Sequence, residues 1–309
     1  MQTLKTALAT RAHTRALKDG TVRPHTFAFD FEEVPAIINA FRRMVRGLEF
    51  DVSEMAMTTY LCARAHGKPL TAIPVFPMRA FHHGAILYNT TTGVRTPKDL
   101  EGKQVGINRG YTVTTGVWAR GILQHEYGVD LGRVTWVRSG DEHVAEYRPP
   151  ANVVNIAPGR TLQELLATGE IAAAIGIQVE SPDVEPLIPD AQGAALRTLR
   201  RSGVYPINHT VVVRNDVIDE FPDLAREMFD AFAEAKRLAL PHLTESAASA
   251  TDETLDQVIK LTGDPFPYGI EPNRRTLDAI VRFAVEQRIL SDPVAIEDLF
   301  APSTRALVA

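Results

Sequence analysis

The chain has a single cysteine, Cys62, among its 309 residues. One thiol excludes an intramolecular disulfide and a cysteine-rich metal site, so Cys62 is predicted to be a small buried apolar group. Long apolar runs are also missing: no stretch reaches the roughly 18 consecutive apolar residues of a membrane-spanning helix. The first twenty residues have too few consecutive apolar side chains for a signal peptide, which predicts a cytoplasmic protein.

Excess basic charge and nucleotide-binding motifs are absent as well. Lys and Arg number 33 against 38 Asp and Glu, for a net charge of −5, so no basic stripe is available for nucleic acid. Neither GxGxxG nor a P-loop occurs, and no flavin or nicotinamide cofactor is expected. The remaining class of partner is a small molecule, and the sequence leaves open whether the chain forms a homo-oligomer.

The order of the predicted elements favours an α/β protein of two lobes. Short apolar runs alternate with amphipathic ones. Two long strand-like runs, 74–88 and 204–214, bracket a middle segment that has its own alternation of strands and helices. We therefore expect a discontinuous lobe of residues 1–85 plus 210–309 and an inserted lobe of residues 86–209. Two crossing segments would form a hinge, and the cleft between the lobes is the default binding site.

Several polar residues follow the first predicted strands. Ser53 is predicted to cap a helix directly after the short strand 50–52, with Glu54 in its first turn. In open α/β sheets ligands bind at this end of the strands, so Glu54 is also a candidate general base and Ser53 a candidate substrate contact. Arg11 and Arg15 lie in the predicted loop after the first strand. They could hold a carboxylate, or they could simply be solvated.

The stretch NRGYTVTTG, residues 108–116, follows a predicted strand and opens a helix. Tyr111, Thr112 and Thr114 lie beside the unpaired amides of a first helical turn, where a substrate carboxylate would fit. The alternative is an ordinary threonine cap that needs no ligand. The later stretch SGDEHVAE is predicted to be a solvated loop.

Three polar residues occur inside PVFPMRAFHHGAILY, residues 74–88, which is predicted to be a strand. Alternation places Arg79 and His83 on one face and His82 on the other. Burying such groups is costly unless they are paired, so we expect them to meet a ligand. His209, in the second crossing strand INHTVVVR, is predicted to join them.

Two of these histidines and a carboxylate, His83, His209 and Glu54, could also bind a divalent metal if the hinge brings them together. No HxH or HExxH spacing supports such a site. The sequence therefore leaves a metal requirement open.

Six stretches are together similar to one known family: FRRMVRGLEFDVSEM, VFPMRAFHHGAILY, RTPKDLEGKQVGI, VWARGILQHEYGV, INHTVVVR and DPFPYGIEPNRRTL. They resemble the 4,5-dihydroxyphthalate decarboxylase family, whose members use the type II periplasmic-binding-protein fold as cytoplasmic enzymes. The chain departs from the family pattern at His82, where Arg is usual, and at Gly84, where Ser is usual. These departures put the transfer of carboxylate recognition in question.

The resemblance implies non-oxidative decarboxylation of a hydroxylated aromatic dicarboxylic acid such as 4,5-dihydroxyphthalate. It implies that Arg79, helped by Arg11 and the amides of the predicted helix start, binds carboxylates. His83 and His209 would transfer protons, while Glu54 orients an imidazole or accepts the phenol proton. The alternative is a solute-binding protein that captures an aromatic or sulfonated acid for an ABC-type transporter, and related two-lobed enzymes act on other carboxylated molecules.

Overall fold

The computed structural model describes residues 2–248 and 253–309, which fall into two compact units. Unit 1 and unit 2 each consist of separate stretches of the chain: Met1–Arg79, Ile207–Asp278 and Val294–Ala309 form unit 1, and Ala80–Pro206 and Ala279–Pro293 form unit 2. The chain therefore passes from one unit to the other four times. The sequence had suggested two crossing segments, with boundaries at residues 85 and 209.

A five-stranded sheet in the order β2-β1-β3-β11-β4 forms the centre of unit 1. β1 pairs in parallel with β2 and β3, whereas β11 runs antiparallel to β3 and β4. Four of the five strands thus point the same way. Their bounds are β1 Gln2–Ala7, β2 Phe27–Phe31, β3 Val52–Ala56, β4 Leu70–Arg79 and β11 Ile207–Arg214.

Helices pack on this sheet to form the core of unit 1. Their bounds are α1 Ala12–Lys18, α2 Ile38–Gly47, α3 Met57–Ala65, α7 Asn215–Glu220, α8 Leu224–Ala248 and α9 Glu253–Thr262. One face of α8 is apolar, and its residues Leu224, Met228, Phe232 and Ala235 are all buried in one cluster with strand residues such as Val213. Among residues 2–248 and 253–309, no helix combines the length and apolar character needed to cross a membrane.

Unit 2 has a six-stranded sheet in the order β10-β5-β9-β6-β7-β8. Its strands are β5 Ile86–Asn89, β6 Gln104–Ile107, β7 Thr135–Arg138, β8 Val153–Asn155, β9 Ala173–Ile175 and β10 Val184–Pro186. Its helices are α4 Thr114–Tyr127, α5 Leu162–Ala167 and α6 Ala191–Ser202. The sequence analysis missed β8, β10 and α6. Both missed strands have only three residues and are mostly exposed, so no apolar alternation marks them.

Residues 279–293 belong to unit 2, although the sequence analysis assigned them to the first lobe. They include most of α10, Arg274–Glu286, whose Phe283 ring meets Trp118 edge-on at 5.5 Å. Gln287 accepts a hydrogen bond from Nε of the fully buried Arg120 at 2.8 Å. A buried guanidinium requires such partners, and this segment supplies one of them.

Three local predictions near the sheets were wrong. The run 74–88 is not one strand, because β4 ends at Arg79 and residues 83–85 form a 3-10 turn before β5 joins the other sheet. Ser53 does not cap a helix, because β3 continues to Ala56. Every residue of β3 is buried between β1 and β11, so its apolar pattern lacks the alternation of a half-exposed strand. The predicted loop after β1 is helix α1 from Ala12 onward.

Candidate active site in unit 1

Four polar side chains predicted from the sequence lie along one edge of the five-stranded sheet. Arg11 follows β1, Glu54 lies within β3, Arg79 ends β4, and His209 is near the start of the antiparallel β11. The register places His209 opposite Ala56. The carboxyl ends of β1, β3 and β4 therefore meet the beginning of β11. This edge is where α/β sheets usually bind ligands.

The carboxylate of Glu54 is the centre of this group. Its side chain has no exposed surface, whereas those of Arg11 and His209 are 22% and 13% exposed. Arg11 binds it with two donors, Nη2 to Oε1 at 2.6 Å and Nη1 to Oε2 at 2.8 Å. The amide of Ala9 donates to Oε2 at 3.1 Å, and Nδ1 of His209 lies 2.5 Å from Oε1. A buried carboxylate needs partners of this kind to remain charged.

These contacts fix the proton positions around His209. Burial raises the pKa of Glu54, but the hydrogen bond and charge of His209, followed by those of Arg11, lower it to about 2. Glu54 is therefore ionised at neutral pH. Because a carboxylate can only accept, Nδ1 of His209 is the donor. The ring's second nitrogen, Nε2, makes no hydrogen bond to the described residues. The Phe41 ring meets the imidazole edge-on at 5.0 Å and limits its movement.

The geometry around His209 is that of an oriented acid or base. A carboxylate that fixes the tautomer of an imidazole leaves the opposite nitrogen to give or take a proton. Here Arg11 in turn fixes the carboxylate. Sequence reasoning had given Arg11 to a substrate carboxylate, but its paired donors hold Glu54 because that buried charge lies within reach.

Arg79 is buried and held by its own partner. Its Nη2 donates to Oδ1 of Asn273, whose amide nitrogen donates to the carbonyl oxygens of Pro267 and Gly269, each at 2.8 Å. These two bonds orient Asn273 so that its oxygen faces the guanidinium. Arg79 is thus a cation whose orientation is fixed by Asn273, and it lies at the same edge of the sheet as His209.

Two further candidates have other surroundings. The hydroxyl of Ser53 is buried and donates to the carbonyl oxygen of Glu54 at 2.7 Å, which makes it part of the sheet. Arg15 is exposed on α1. Arg11 and Arg15 therefore do not lie together in one loop as predicted, since Arg11 precedes the helix and Arg15 lies one turn into it.

His13 lies next to this group and was not singled out by sequence. The ring is buried, stacks on Phe266 with centroids 4.5 Å apart, and its Nε2 lies 3.0 Å from the carbonyl oxygen of Pro77. Burial lowers the pKa of His13 to about 4, despite the hydrogen bond to Pro77. His13 is therefore neutral at pH 7.

In unit 2, the predicted anion site of Tyr111 and Thr112 is filled by the chain's own Glu142. The amide of Tyr111 donates to Oε1 at 2.7 Å, and the amide and hydroxyl of Thr112 donate to Oε2 at 3.0 and 2.7 Å. Arg138 also binds Oε1, at 2.9 Å. The stretch SGDEHVAE is therefore not a solvated loop, because Glu142 and its neighbour are buried. Thr114 is the buried first residue of α4.

His82 and His83 also belong to unit 2, where both are buried. Because β4 ends at Arg79, the alternation that paired Arg79 with His83 does not apply. Nε2 of His83 lies 3.1 Å from Oε2 of Glu126. His83 thus has a carboxylate partner of its own, separate from Glu54.

The metal set of His83, His209 and Glu54 gains no support from the geometry. Within the two described stretches of the chain, no group of three or more His, Cys, Asp or Glu side chains could hold a metal ion. Glu54 instead uses both oxygens on protein donors.

The sequence analysis overlooked Asn273, Glu126 and Glu142. Asn273 and Glu126 lie in two of the stretches that carried the family resemblance, so a signal was present for both. Glu142 had none, because Tyr111 and Thr112, whose amides it binds, are about thirty positions away along the chain.

Comparison with known proteins identifies the family of the chain. Residues 43–245 match the family described as NMT1/THI5 like. A 4,5-dihydroxyphthalate decarboxylase from Comamonas testosteroni is 31% identical over 315 residues, covering 94% of this chain and 93% of that protein. The chain belongs to the 4,5-dihydroxyphthalate decarboxylase family and to the NMT1/THI5-like proteins.

Solved structures confirm the predicted fold of this family member. The periplasmic aliphatic sulphonate-binding protein SsuA from Escherichia coli has a TM-score of 0.55 at 13% identity, covering 99% of this chain and all of SsuA. A Candida albicans protein described as having the generic periplasmic binding protein fold has a TM-score of 0.53 at 15% identity, covering 98% and 96% of the two chains. The α/β architecture is therefore that of the periplasmic binding proteins.

Proposed function

We propose that this protein is a non-oxidative decarboxylase of a hydroxylated aromatic dicarboxylic acid, of which 4,5-dihydroxyphthalate is the first candidate. The observation that carries the proposal is the Arg11–Glu54–His209 group around the buried Glu54 carboxylate, in which one imidazole nitrogen has no hydrogen-bond partner among residues 2–248 and 253–309. The family supports it, since the Comamonas testosteroni relative is named for this activity.

The chemistry requires a proton donor close to the ring. The ring carbon that bears the departing carboxylate accepts a proton, and the oxygen of a phenol on the ring, which keeps its own proton, stabilises the resulting cation. The carbon–carbon bond then breaks, its electrons return to the ring, and carbon dioxide leaves. In total one carboxylate and one proton become one C–H bond and one carbon dioxide. Nε2 of protonated His209 is the proposed donor, and water restores its proton afterwards.

Glu54 is the positioning residue in this scheme. Its carboxylate accepts the hydrogen bond from Nδ1 of His209, so that Nε2 keeps one orientation. The two hydrogen bonds from Arg11 stabilise the ionised carboxylate of Glu54 and so make it a weak base. For this reason Glu54 does not take the phenol proton. Arg79 is the proposed cation for the retained carboxylate, since Asn273 holds its guanidinium at the same sheet edge as His209.

The alternative is a solute-binding protein for an aromatic or sulfonated acid, and the name of SsuA supports it. Such a protein needs cations and hydrogen-bond donors. It has no use for an imidazole oriented by a buried carboxylate, which is why we favour the enzyme. The two functions also differ in compartment: the enzyme is expected in the cytoplasm and the binding protein outside it, which cell fractionation would decide.

The direct test is to incubate purified protein with a panel of hydroxylated phthalates and benzoates and to measure carbon dioxide release. The proposal expects turnover of a dihydroxyphthalate to a dihydroxybenzoate. Binding across the panel without turnover would favour the solute-binding alternative. A parallel series after chelator treatment decides whether a divalent metal is required.

Variants connect that activity to the site. His209→Gln should lower kcat by about a hundredfold or more, the usual contribution of a positioned acid or base. Glu54→Gln should also lower kcat, because Nδ1 of His209 loses the carboxylate that orients the ring. The matched control is His25→Gln, at an exposed position of unit 1, which should leave kcat unchanged. Wild-type kcat in His209→Gln would remove this site from the mechanism.

A further inference from the structure

A buried lysine of unit 1 contacts the segment that carries Asn273, the partner of Arg79. This segment, residues 264–273, follows α9, and the lysine is Lys236 of α8, whose side chain is only 4% exposed. Arg79 binds the retained carboxylate in the proposed mechanism, whereas Lys236 has no role there. A buried ammonium is costly unless it is paired, so its contacts show which part of the chain it stabilises.

The Lys236 ammonium has three contacts with segment 264–273. It donates to Oδ2 of Asp264 at 2.6 Å and to the carbonyl oxygen of Phe266 at 3.2 Å, and it lies 4.8 Å from the centre of the Tyr268 ring. The other oxygen of Asp264 accepts a hydrogen bond from the amide of Phe266 at 2.8 Å. Lys236 and Asp264 together therefore hold the first half of the segment against α8.

This first half supplies one of the acceptors that orient Asn273. Nδ2 of Asn273 donates to two carbonyl oxygens of the segment, and one of them, at 2.8 Å, belongs to Pro267. Pro267 directly follows Phe266, whose own carbonyl oxygen accepts from Lys236. A shift of the Pro267 carbonyl would turn the side chain of Asn273, and Oδ1 of that side chain is the acceptor for Arg79.

The second half of the segment has an anchor that does not involve Lys236. The amide of Gly269 donates to the carbonyl oxygen of Pro74 at 2.8 Å, and Pro74 lies in β4, the strand that ends at Arg79. This bond keeps Gly269 in place relative to the guanidinium when Lys236 is changed. Loss of Lys236 is therefore expected to reorient Asn273 without releasing the whole segment.

We propose that Lys236 is a positioning residue that sets the affinity of the site for the retained carboxylate, acting through segment 264–273 and Asn273 on Arg79. The inference rests on the proposed function in one respect, the assignment of Arg79 to a substrate carboxylate. That carboxylate is bound before and during the reaction, so its contact with Arg79 affects KM more than kcat.

The test is calorimetric titration of the whole protein with phthalate, an aromatic dicarboxylate without hydroxyl groups, together with steady-state kinetics on 4,5-dihydroxyphthalate. Lys236→Met removes the ammonium but keeps most of the apolar stem. It should weaken phthalate binding and raise KM by about fivefold each, while kcat stays within about twofold of wild type. The matched control is Arg237→Met, because Arg237 is the next residue of α8 and binds Glu234 of the same helix at an exposed position. The control should keep wild-type affinity and KM.

Two further variants separate positioning from stability. Asp264→Ala removes the partner of Lys236 at a position whose side chain is 31% exposed, so little packing is lost, and it should weaken phthalate binding by a similar factor. In the Arg79→Met background, Lys236→Met should have no further effect on phthalate affinity, because the cation through which Lys236 acts has been removed.

Three results would overturn the proposal. Wild-type phthalate affinity in both Lys236→Met and Asp264→Ala would leave Lys236 with a purely structural role. A full loss of affinity on adding Lys236→Met to Arg79→Met would mean that Lys236 acts elsewhere. Failure of wild type to bind phthalate would mean that there is no carboxylate affinity to set. By contrast, a loss of phthalate affinity in Lys236→Met, when wild type turns over no dihydroxyphthalate, would support the inference and remove only the decarboxylase function.

Discussion

Acidification should destabilise unit 1 through the buried imidazole of His13. Burial lowers its pKa from 6.5 to about 4, while in the unfolded chain the ring is solvated and keeps its ordinary value. Between these two values the unfolded state binds the proton and the folded state does not. The contribution of neutral His13 to the free energy of unfolding is fully present above pH 6.5 and is lost as pH falls towards 4. Each pKa unit corresponds to about 1.4 kcal/mol, so the loss amounts to roughly 3 kcal/mol.

The assay is urea unfolding at several pH values between 7.5 and 4.5, followed by circular dichroism, for wild type and His13→Gln. Glutamine can still donate to Pro77 but binds no proton. The free energy of unfolding of wild type should fall by about 1 kcal/mol per pH unit more steeply than that of the variant. The matched control, His25→Gln, should keep the wild-type slope, because solvent reaches that side chain in both states.

The reasoning would be refuted by parallel slopes for wild type and His13→Gln. Such a result would mean that the folded protein takes up the proton at His13 without cost. Burial would then be the wrong explanation for a neutral ring at this position.

Three more outcomes follow from the geometry. Glu142→Ala should lower the unfolding free energy of unit 2 by about 2 kcal/mol, because the buried amides of Tyr111 and Thr112 lose their acceptor. Urea unfolding followed by tryptophan fluorescence measures this loss, since both tryptophans lie in unit 2. Gly121→Ala should lower the free energy of unfolding by about 1–3 kcal/mol, because a methyl group there would lie 2.2 Å from the Phe283 ring. In the control Gly84→Ala the methyl group meets its nearest neighbour at 3.6 Å, so that variant should be neutral in the same assay. The stabilisation from ionised Glu54 is present above its ordinary pKa near 4.5 and is lost as pH falls towards 2, so Glu54→Gln should flatten the acid limb of the stability profile measured by circular dichroism.

The location of the candidate site was predictable from the sequence, although its local structure was not. The rule that ligands bind where parallel strands end placed Glu54 at the sheet edge. The same reasoning assigned Glu54 to the first turn of a helix, because a strand buried on both faces lacks the alternation that marks strands. An apolar run of this kind fits either assignment.

Pairing between distant residues could not be predicted. Arg11 and Glu54 are 43 positions apart, and nothing in either neighbourhood shows that the guanidinium meets this carboxylate rather than a substrate. The contact between Glu142 and Thr112 could not be predicted for the same reason. The apolar stripe of α10 predicts a buried helix face, but amphipathic spacing cannot say which of two cores that face joins.

The four passages of the chain between units have a consequence for synthesis on the ribosome. Unit 2 lacks residues 279–293 until synthesis has passed all of residues 1–278, and unit 1 then still lacks residues 294–309. Until then Arg120 lacks its hydrogen-bond partner Gln287, and Trp118 lacks its contact with the Phe283 ring. Neither unit can therefore complete its core before residues 279–309 emerge, and until then the nascent chain must keep both incomplete cores from aggregating.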